Sequence, residues 1–222
     1  MDLPDADPAL LEDDLKNLRT INRHFGGIRA VEKHIQPLLA RVNGRSATSV
    51  LDLATGSADH PLALVALGRR LGREITVTAV DANPHMVRIS RRRTAHEPGI
   101  TVLEADIRAP GLQDRSFDIV LCSLALHHFS DREAGEIVRT MGRLSRVGYI
   151  VNDLRRCRSG AGAAWLWTRL STRNPMTRND AVVSVWRGFT GTELRALGLA
   201  SDMRSVAVHR EPLYRLVLVG EH

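Results

Sequence analysis

Six titratable side chains in this 222-residue chain stand where apolar runs end. Asp52 sits in Val50-Leu51-Asp52-Leu53, Asp81 follows Thr76-Val77-Thr78-Ala79-Val80, and Asp106 follows Glu104-Ala105. Further on come the adjacent pair His127-His128 and then Asp153. An acidic residue ending a second strand can accept hydrogen bonds from both hydroxyls of a ribose, which excludes a 2′-phosphate. One just past a third strand can reach an exocyclic amine such as adenine's, with Ile107 as an apolar face for the ring. Between Leu53 and Asp59 lie only small residues, Ala54-Thr55-Gly56-Ser57-Ala58. Such a turn lets the backbone pass close to a ligand. The helix after it offers unpaired N–H groups to something polar. Any single acid here could be a mere helix cap, as Asp81 or Asp131 could be. Three in register with a small-residue turn point instead to a nucleoside-containing cofactor.

The glycine pattern narrows the choice. A dinucleotide fingerprint requires Gly-x-Gly-x-x-Gly, whereas this turn reads Ala54-x-Gly56-x-Ala58. No third glycine allows close helix packing on a pyrophosphate, so a cofactor without one fits better. S-adenosylmethionine is such a cofactor.

The ordered set Val50 to Asp59, Ala79-Val80-Asp81-Ala82-Asn83, Glu104-Ala105-Asp106-Ile107, Ser116-Phe117-Asp118-Ile119-Val120 and Leu126-His127-His128-Phe129 resembles the class I S-adenosylmethionine-dependent methyltransferases. The match runs over residues 49–153. It is most similar to the small-molecule branch that serves quinone and polyketide pathways, which implies a place in secondary metabolism. Ala54 and Ala58 depart from the glycines of many members but keep the turn small. The resemblance implies that Asp52, Ala54 and the backbone around Gly56 hold the methionine portion, Asp81 with Ala82 the ribose, and Asp106 with Ile107 the adenine. The backbone near Ser123 would face the methionine amino group. In this branch N-terminal helices close over the cofactor, so Arg23 is expected to pair with its carboxylate and Asn22 to lie beside the acceptor. The product would be S-adenosylhomocysteine.

Methyl transfer needs alignment and a place for a proton, because the sulfonium supplies the reactivity. A neutral imidazole suits base work near neutral pH, and His127 and His128 stand where an acceptor would meet the methyl group. Adjacent side chains diverge, so one of the pair is expected to face inward. Asn152-Asp153 is the second candidate, orienting or deprotonating the acceptor. Trp165, Trp167 and Trp186, with Met176, follow among arginines and would wall a flat or greasy acceptor. No Cys or carboxylate partner stands at metal-ligand spacing beside the histidines, and no metal is expected.

Positioning these groups calls for alternating strands and helices with short connections, hence a parallel sheet with crossover helices. Strands are predicted at 49–53, 75–80, 100–104, 117–123 and 147–151, with helices at 61–71, 84–93 and 131–144. Thr190 and Glu193 have capping-box spacing and open a helix to about Leu199. Two late strands, 201–209 and 213–219, would form an antiparallel hairpin at the sheet edge, turning near Glu211-Pro212. The fold expected is α/β: a Rossmann-like, doubly wound, mostly parallel seven-stranded sheet with an antiparallel edge strand. Residues 1–45 would form a helical lid, with one helix over 8–25 and another over 28–42 bent or broken near Pro37. Residues 46–222 would be the catalytic domain, with a substrate-binding insertion at about 155–189.

Composition excludes several alternatives. No run approaches the roughly 18 apolar residues of a membrane helix. The acidic start lacks a secretory pattern, and two cysteines fit a reducing cytoplasm. The formal charge is +6, but only Lys16 and Lys33 among 31 basic residues are lysines, and the arginines form no stripe interleaved with aromatics. Nucleic acid is therefore not the expected substrate. The expected partner is a small-molecule acceptor, methylated on a phenolic or enolic oxygen or on a quinol ring carbon; a homodimer is compatible. A cofactor-binding protein without turnover is the reading from another class.

Overall fold

Alternate residues of the central strands point to opposite sides, and both sides are covered. The computed structural model describes residues 26–42, 47–172 and 174–222. Its strands are β1 (Ala47–Leu53), β2 (Glu74–Asp81), β3 (Ile100–Glu104), β4 (Phe117–Ser123), β5 (Ser145–Leu154), β6 (Ser205–Glu211) and β7 (Arg215–Glu221). Val50, Ile119 and Leu121 face a core shared with Leu64 and Val87, while Leu51, Val120 and Cys122 face one shared with Ile137, Met141 and Leu194. Burial on both faces is why these strands read as nearly continuous apolar runs.

The strands form one sheet in the order β3-β2-β1-β4-β5-β7-β6. β1 to β5 pair in parallel, and β7 runs antiparallel to both β5 and β6. The seven-stranded sheet and its antiparallel edge match the sequence expectation. The order reverses between β1 and β4, and a doubly wound sheet opens its ligand crevice at that point. β5 is longer than the sequence suggested, so Asn152 and Asp153 lie within the strand. Glu211 pairs with Arg215, which moves the hairpin turn past Glu211-Pro212 to residues 212–214.

The helices are α1 (Gly27–Arg41), α2 (Asp59–Leu71), α3 (Pro84–Thr94), α4 (Asp131–Leu144), α5 (Arg158–Ser171), α6 (Pro175–Arg187) and α7 (Gly191–Leu199), with a 3-10 turn at Leu126–His128. Capping boxes open α4 at Ser130/Glu133 and α7 at Thr190/Glu193. The cap of α4 is thus Ser130 and not Asp131. Helix α1 is not broken at Pro37. An interior proline costs about 3 kcal/mol, but burial of Val31, Ile35, Leu38 and Leu39 contributes roughly 1.5–3 kcal/mol for each side chain. Packing wins over propensity here. Helix α1 lies on β5 and β7, and it is tied to the far hairpin by Glu211, which accepts from Lys33 Nζ (2.7 Å) and contacts His34 Nε2 (2.8 Å).

The region after β5 departs most from expectation. Helix α5 already begins at Arg158 and runs through Gly160 and Gly162. Helix α6 had no counterpart in the sequence reading. Its signals were nevertheless present: Asn174 Oδ1 accepts from Met176 N–H (2.9 Å) and Thr177 N–H (3.4 Å), and Pro175 takes the first helical position. Both fit a helix start. Residues 1–25, which include the expected first helix with Asn22 and Arg23, and the linker 43–46 lie outside the described residues. Among the described residues no helix is long and apolar enough to cross a membrane.

Candidate active site

The turn after β1 builds one wall of a cleft at the carboxyl end of the sheet. Thr55 N–H donates to Val80 O (2.9 Å) and Gly56 N–H to Asp81 Oδ2 (2.8 Å), so the turn is pinned to β2. Ser90 Oγ on α3 donates to Gly56 O (2.6 Å). Arg93 Nη1, also on α3, pairs with Asp59 Oδ1 (2.8 Å) at the start of α2. Three residues of the turn take left-handed backbone: Ala54 (φ 56°), Gly56 (φ 56°) and Ala58 (φ 60°). This geometry explains why glycine would suit positions 54 and 58. A left-handed alanine costs about 1 kcal/mol, so Ala54→Gly is expected to stabilise the protein by about 1 kcal/mol and raise Tm by roughly 2–4 °C. Differential scanning calorimetry checks this; a lower Tm would contradict the assigned backbone.

The cleft has a volume of about 570 Å³ and is bounded by the strand ends, α5, α6 and the β6–β7 hairpin tip. Ala54, Gly56, Asp81, Ala82, Asp106, Ile107 and Ser123, expected to hold a cofactor, all line it. Asp81 is held by two backbone donors, Gly56 N–H on Oδ2 and Asn83 N–H on Oδ1 (2.9 Å). Each carboxylate oxygen accepts two hydrogen bonds, so these contacts fix the side chain without exhausting it. Asp106 is clasped by Arg108, whose Nη2 donates to Oδ2 (2.6 Å) and whose Nε reaches both oxygens (3.1 and 3.0 Å). The Arg108 side chain and backbone N–H hold Asp106 below the usual carboxylate range, burial opposing only weakly. Ser123 Oγ accepts from Asn152 Nδ2 (2.9 Å), which sets the end of β4.

Asp52 is not in the cleft. It is almost fully buried behind the turn and accepts Thr55 Oγ1 (2.7 Å). The strand alternation that sends Leu51 and Leu53 to one core sends Asp52 to the other side, so it braces the turn through Thr55 and does not line the cleft. Burial pushes its pKa up to about 7, against the Thr55 hydrogen bond and with the charges of Asp81 and Asp59 adding to the rise.

At the other end of the cleft His127 Nδ1 donates to Asp153 Oδ1 (2.6 Å), and its backbone N–H reaches Oδ2 (3.3 Å). Asp153 is fully buried and also accepts Leu154 N–H (2.7 Å). Burial would raise its pKa, but His127 and these backbone donors outweigh it and hold the carboxyl low. An ionised Asp153 fixes the tautomer with the proton on Nδ1, which leaves the Nε2 lone pair as a base. Asp153 lies behind His127 and outside the cleft lining, so it orients the imidazole and does not meet the acceptor. Asn152 is likewise buried and braces Ser123.

The two histidines do not diverge. A 3-10 turn rotates neighbours by about 120° instead of reversing them as a strand does, and both rings line the cleft with centroids 4.2 Å apart. Of the three tryptophans only Trp167 faces the cleft. Trp165 and Trp186 lie on the outer surfaces of α5 and α6, half exposed at 50% and 49%; Arg169 sits 5.2 Å from the Trp165 ring. Helical spacing places Trp165 and Trp167 about 200° apart around α5, so they cannot share a face. Among the described residues no group of three His, Cys, Asp or Glu could hold a metal.

Sequence reasoning missed His60, Arg108, Tyr214 and Arg215, all in the cleft lining. Arg108 carried a signal, two residues after Asp106. Arg215 carried none, because only the hairpin register brings it there.

The residues fit S-adenosylmethionine. An acid at the end of β2, a second acid with an apolar neighbour past β3, and a small-residue turn suit an adenosine that carries no pyrophosphate. The carboxylate of Asp81 also complements a sulfonium charge, whereas those of Asp59 and Asp106 are already paired with Arg93 and Arg108.

Residues 50–148 match the family model described as "Methyltransferase domain". The chain is 33% identical over 128 residues to an uncharacterised methyltransferase of Mycobacterium tuberculosis, covering 55% of this chain and 61% of that one. It is 33% identical over 102 residues to a ubiquinone/menaquinone biosynthesis C-methyltransferase of Xanthomonas oryzae, covering 45% of this chain and 38% of the relative. The chain thus spans about three fifths or less of these relatives. A solved S-adenosylmethionine-dependent methyltransferase from Aquifex aeolicus superimposes with a TM-score of 0.62 at 17% identity, covering 97% of this chain and 98% of that one. By the domain match over residues 50–148, its ordered motifs and its sheet, the chain carries a methyltransferase domain that resembles the class I S-adenosylmethionine-dependent methyltransferases.

Proposed function

We propose that this protein transfers the methyl group of S-adenosylmethionine to a hydroxyl of a small, largely apolar aromatic acceptor of the phenol, polyketide or quinol type. The single observation that carries the reading is the His127–Asp153 pair, joined at 2.6 Å at one end of a cleft whose other end has an adenosine-type donor set. When bound, the cofactor supplies an electrophilic methyl carbon on a sulfonium. His127 Nε2 takes the proton of the attacking hydroxyl, and Asp153 keeps the imidazole in the required tautomer and offsets its charge once protonated. Phe129, Leu154, Trp167, Val185 and Leu213 supply apolar wall for the acceptor. They exclude water, which favours transfer to the acceptor over loss to solvent.

C-methylation of a quinol ring is the second reading, favoured by the likeness to the Xanthomonas C-methyltransferase of quinone biosynthesis. The same base would ionise the ring hydroxyl and direct attack from carbon. Incubating the protein with S-adenosylmethionine and a panel of phenols and quinols, with mass detection of products gaining one methyl group, tests both readings. Products whose methyl group survives boron tribromide, which cleaves aryl methyl ethers, separate the second from the first. Protein that binds the cofactor yet methylates nothing across a broad panel would count against transfer to this acceptor class.

The tryptophan assignments give a further expectation. Trp167→Ala should raise the acceptor KM by about 10-fold, the order expected for losing roughly 1.4 kcal/mol of aromatic contact. Trp165→Ala and Trp186→Ala should leave KM within about two-fold, since both rings face outward. Steady-state kinetics on a methylated acceptor decides this, and equal effects at all three positions would contradict it.

A further inference from the structure

Two buried nitrogen groups stand in the cleft outside the dyad. His60, the second residue of α2, lines the cleft at 7% exposure, and its Nε2 is buried with no hydrogen-bond partner among the described residues. Arg215, the first residue of β7, lines the same cleft at 2% exposure. An imidazole nitrogen buried without a partner is destabilising, and such a group persists at a site where a ligand later supplies the partner.

The chain places Arg215 at a conformational cost of its own. The two preceding residues, Leu213 and Tyr214, both take left-handed backbone (φ 59° and 60°) without being glycine. Each such residue is strained, and strain of this kind concentrates where function requires the geometry. The surroundings hold the turn in that shape. Arg155 N–H donates to Tyr214 O (2.7 Å), and the Arg155 guanidinium sits 5.6 Å from the Tyr214 ring centroid. Helix α5 approaches so closely at Gly160 that a Cβ there would lie 3.1 Å from the Tyr214 ring. The hairpin tip is therefore clamped from two sides, with Tyr214 and Arg215 turned to the cleft.

Arg215 is a donor only, and a neutral His60 can donate from Nε2. Asp153, whose charge also acts on Arg215, accepts three hydrogen bonds from His127 and Leu154. Asp180 itself lines the cleft. A pair of buried donors beside a hydroxyl-activating base suits an acceptor with two oxygens: one to be methylated and one to be held.

We propose that His60 and Arg215 form a subsite for a second oxygen of the acceptor, a carbonyl or carboxylate on the same ring as the hydroxyl, so that the protein prefers hydroxy-carbonyl aromatics over simple phenols. The proposal deepens the methyl-transfer reading and rests on it for the place of the hydroxyl. Binding can be measured without turnover. Protein saturated with S-adenosylhomocysteine is titrated calorimetrically with 2-hydroxyacetophenone, salicylate and 2-ethylphenol. The expected result is a carbonyl compound bound about 10- to 100-fold more tightly than 2-ethylphenol, the span of one satisfied buried donor. Salicylate tighter than the ketone marks the held oxygen as an anion, and the reverse order marks it as a neutral carbonyl. In His60→Leu the preference should fall below about three-fold while S-adenosylhomocysteine affinity stays unchanged. Arg215→Met should act in the same direction, and if it fails to fold His60→Leu still decides the matter. Equal affinity for 2-ethylphenol and both carbonyl compounds, or a preference that survives His60→Leu, overturns the proposal. Tight hydroxy-carbonyl binding with no methylated product would leave the subsite standing and refute the transfer reading alone.

Discussion

His127→Asn is expected to lower kcat by about 10²- to 10⁴-fold, the range for removing a positioned general base, while leaving S-adenosylhomocysteine affinity unchanged. Asparagine can still donate to Asp153 from its amide, so the 3-10 turn is retained and only the Nε2 base is lost. Asp153→Asn should give a loss of similar order for a different reason. An amide in that place no longer selects the tautomer with its proton on Nδ1, and it cannot offset the imidazolium that forms. It should therefore also change the acid limb of the kcat–pH profile, with acceptor KM within about two-fold of wild type. A merely structural role for Asp153 would lower stability without moving that limb. Rapid-quench or steady-state product formation measures the first effect. Full activity in His127→Asn would remove the imidazole from the chemistry.

The second large effect is on stability, and it comes from two buried groups with opposite linkage. His60 is lowered to about 4, first by burial and then by the charge of Arg215, with Asp59 opposing. Its unfolded value is near 6.5, so between pH 6.5 and 4 the unfolded chain binds a proton that the folded chain refuses. Stability from this group is full above pH 6.5 and falls by about 3 kcal/mol on acidification to pH 4. Asp52 runs the other way. Its folded value of about 7, set mainly by burial, exceeds the unfolded 3.8. Its contribution is full below pH 3.8 and is lost, by about 4 kcal/mol in all, as pH rises through 7. Between pH 4 and 6.5 the slopes, each about 1.4 kcal/mol per pH unit, oppose one another. Urea unfolding of the cofactor-free wild type should therefore vary little with pH over that window as far as these groups are concerned. Asp52→Asn, whose amide oxygen can still accept from Thr55, should gain stability with rising pH, and His60→Gln should lose it. Parallel pH profiles for the two variants would refute the assigned environments.

Asp52 also shows what a sequence reveals and what it hides. The acid in Val-Leu-Asp-Leu is visible as part of a motif, and so is its nearness to the turn. Which side of the sheet it faces depends on strand alternation relative to two cores, and the structure makes it a brace for Thr55. Asp81, Asp106 and Ile107 were legible because they end or follow strands that apolar runs mark plainly. The His127–Asp153 contact spans 26 residues and depends on β5 extending to Leu154, which short-range patterning underestimates. The tryptophans illustrate a periodicity error. With α5 starting at Arg158, Trp165 and Trp167 cannot share a face, and α6 went unrecognised because its apolar positions do not fall on one stripe. Arg215 and the left-handed pair before it were invisible, since the register of β6 on β7 is a tertiary outcome. The alanines of the first turn remain informative in a sharper form: both sit in left-handed backbone, where the strain is carried by residues that still leave room for a ligand.

The most direct test is a calorimetric titration of S-adenosylhomocysteine into wild-type protein and Asp81→Ala. The wild type should bind at one site. Asp81→Ala should bind at least about 10-fold more weakly, because it loses charge-assisted hydrogen bonds to the ribose and releases Gly56 N–H from its carboxylate anchor. No binding by the wild type, or equal affinity in the two proteins, would contradict the assignment of this cleft to the cofactor.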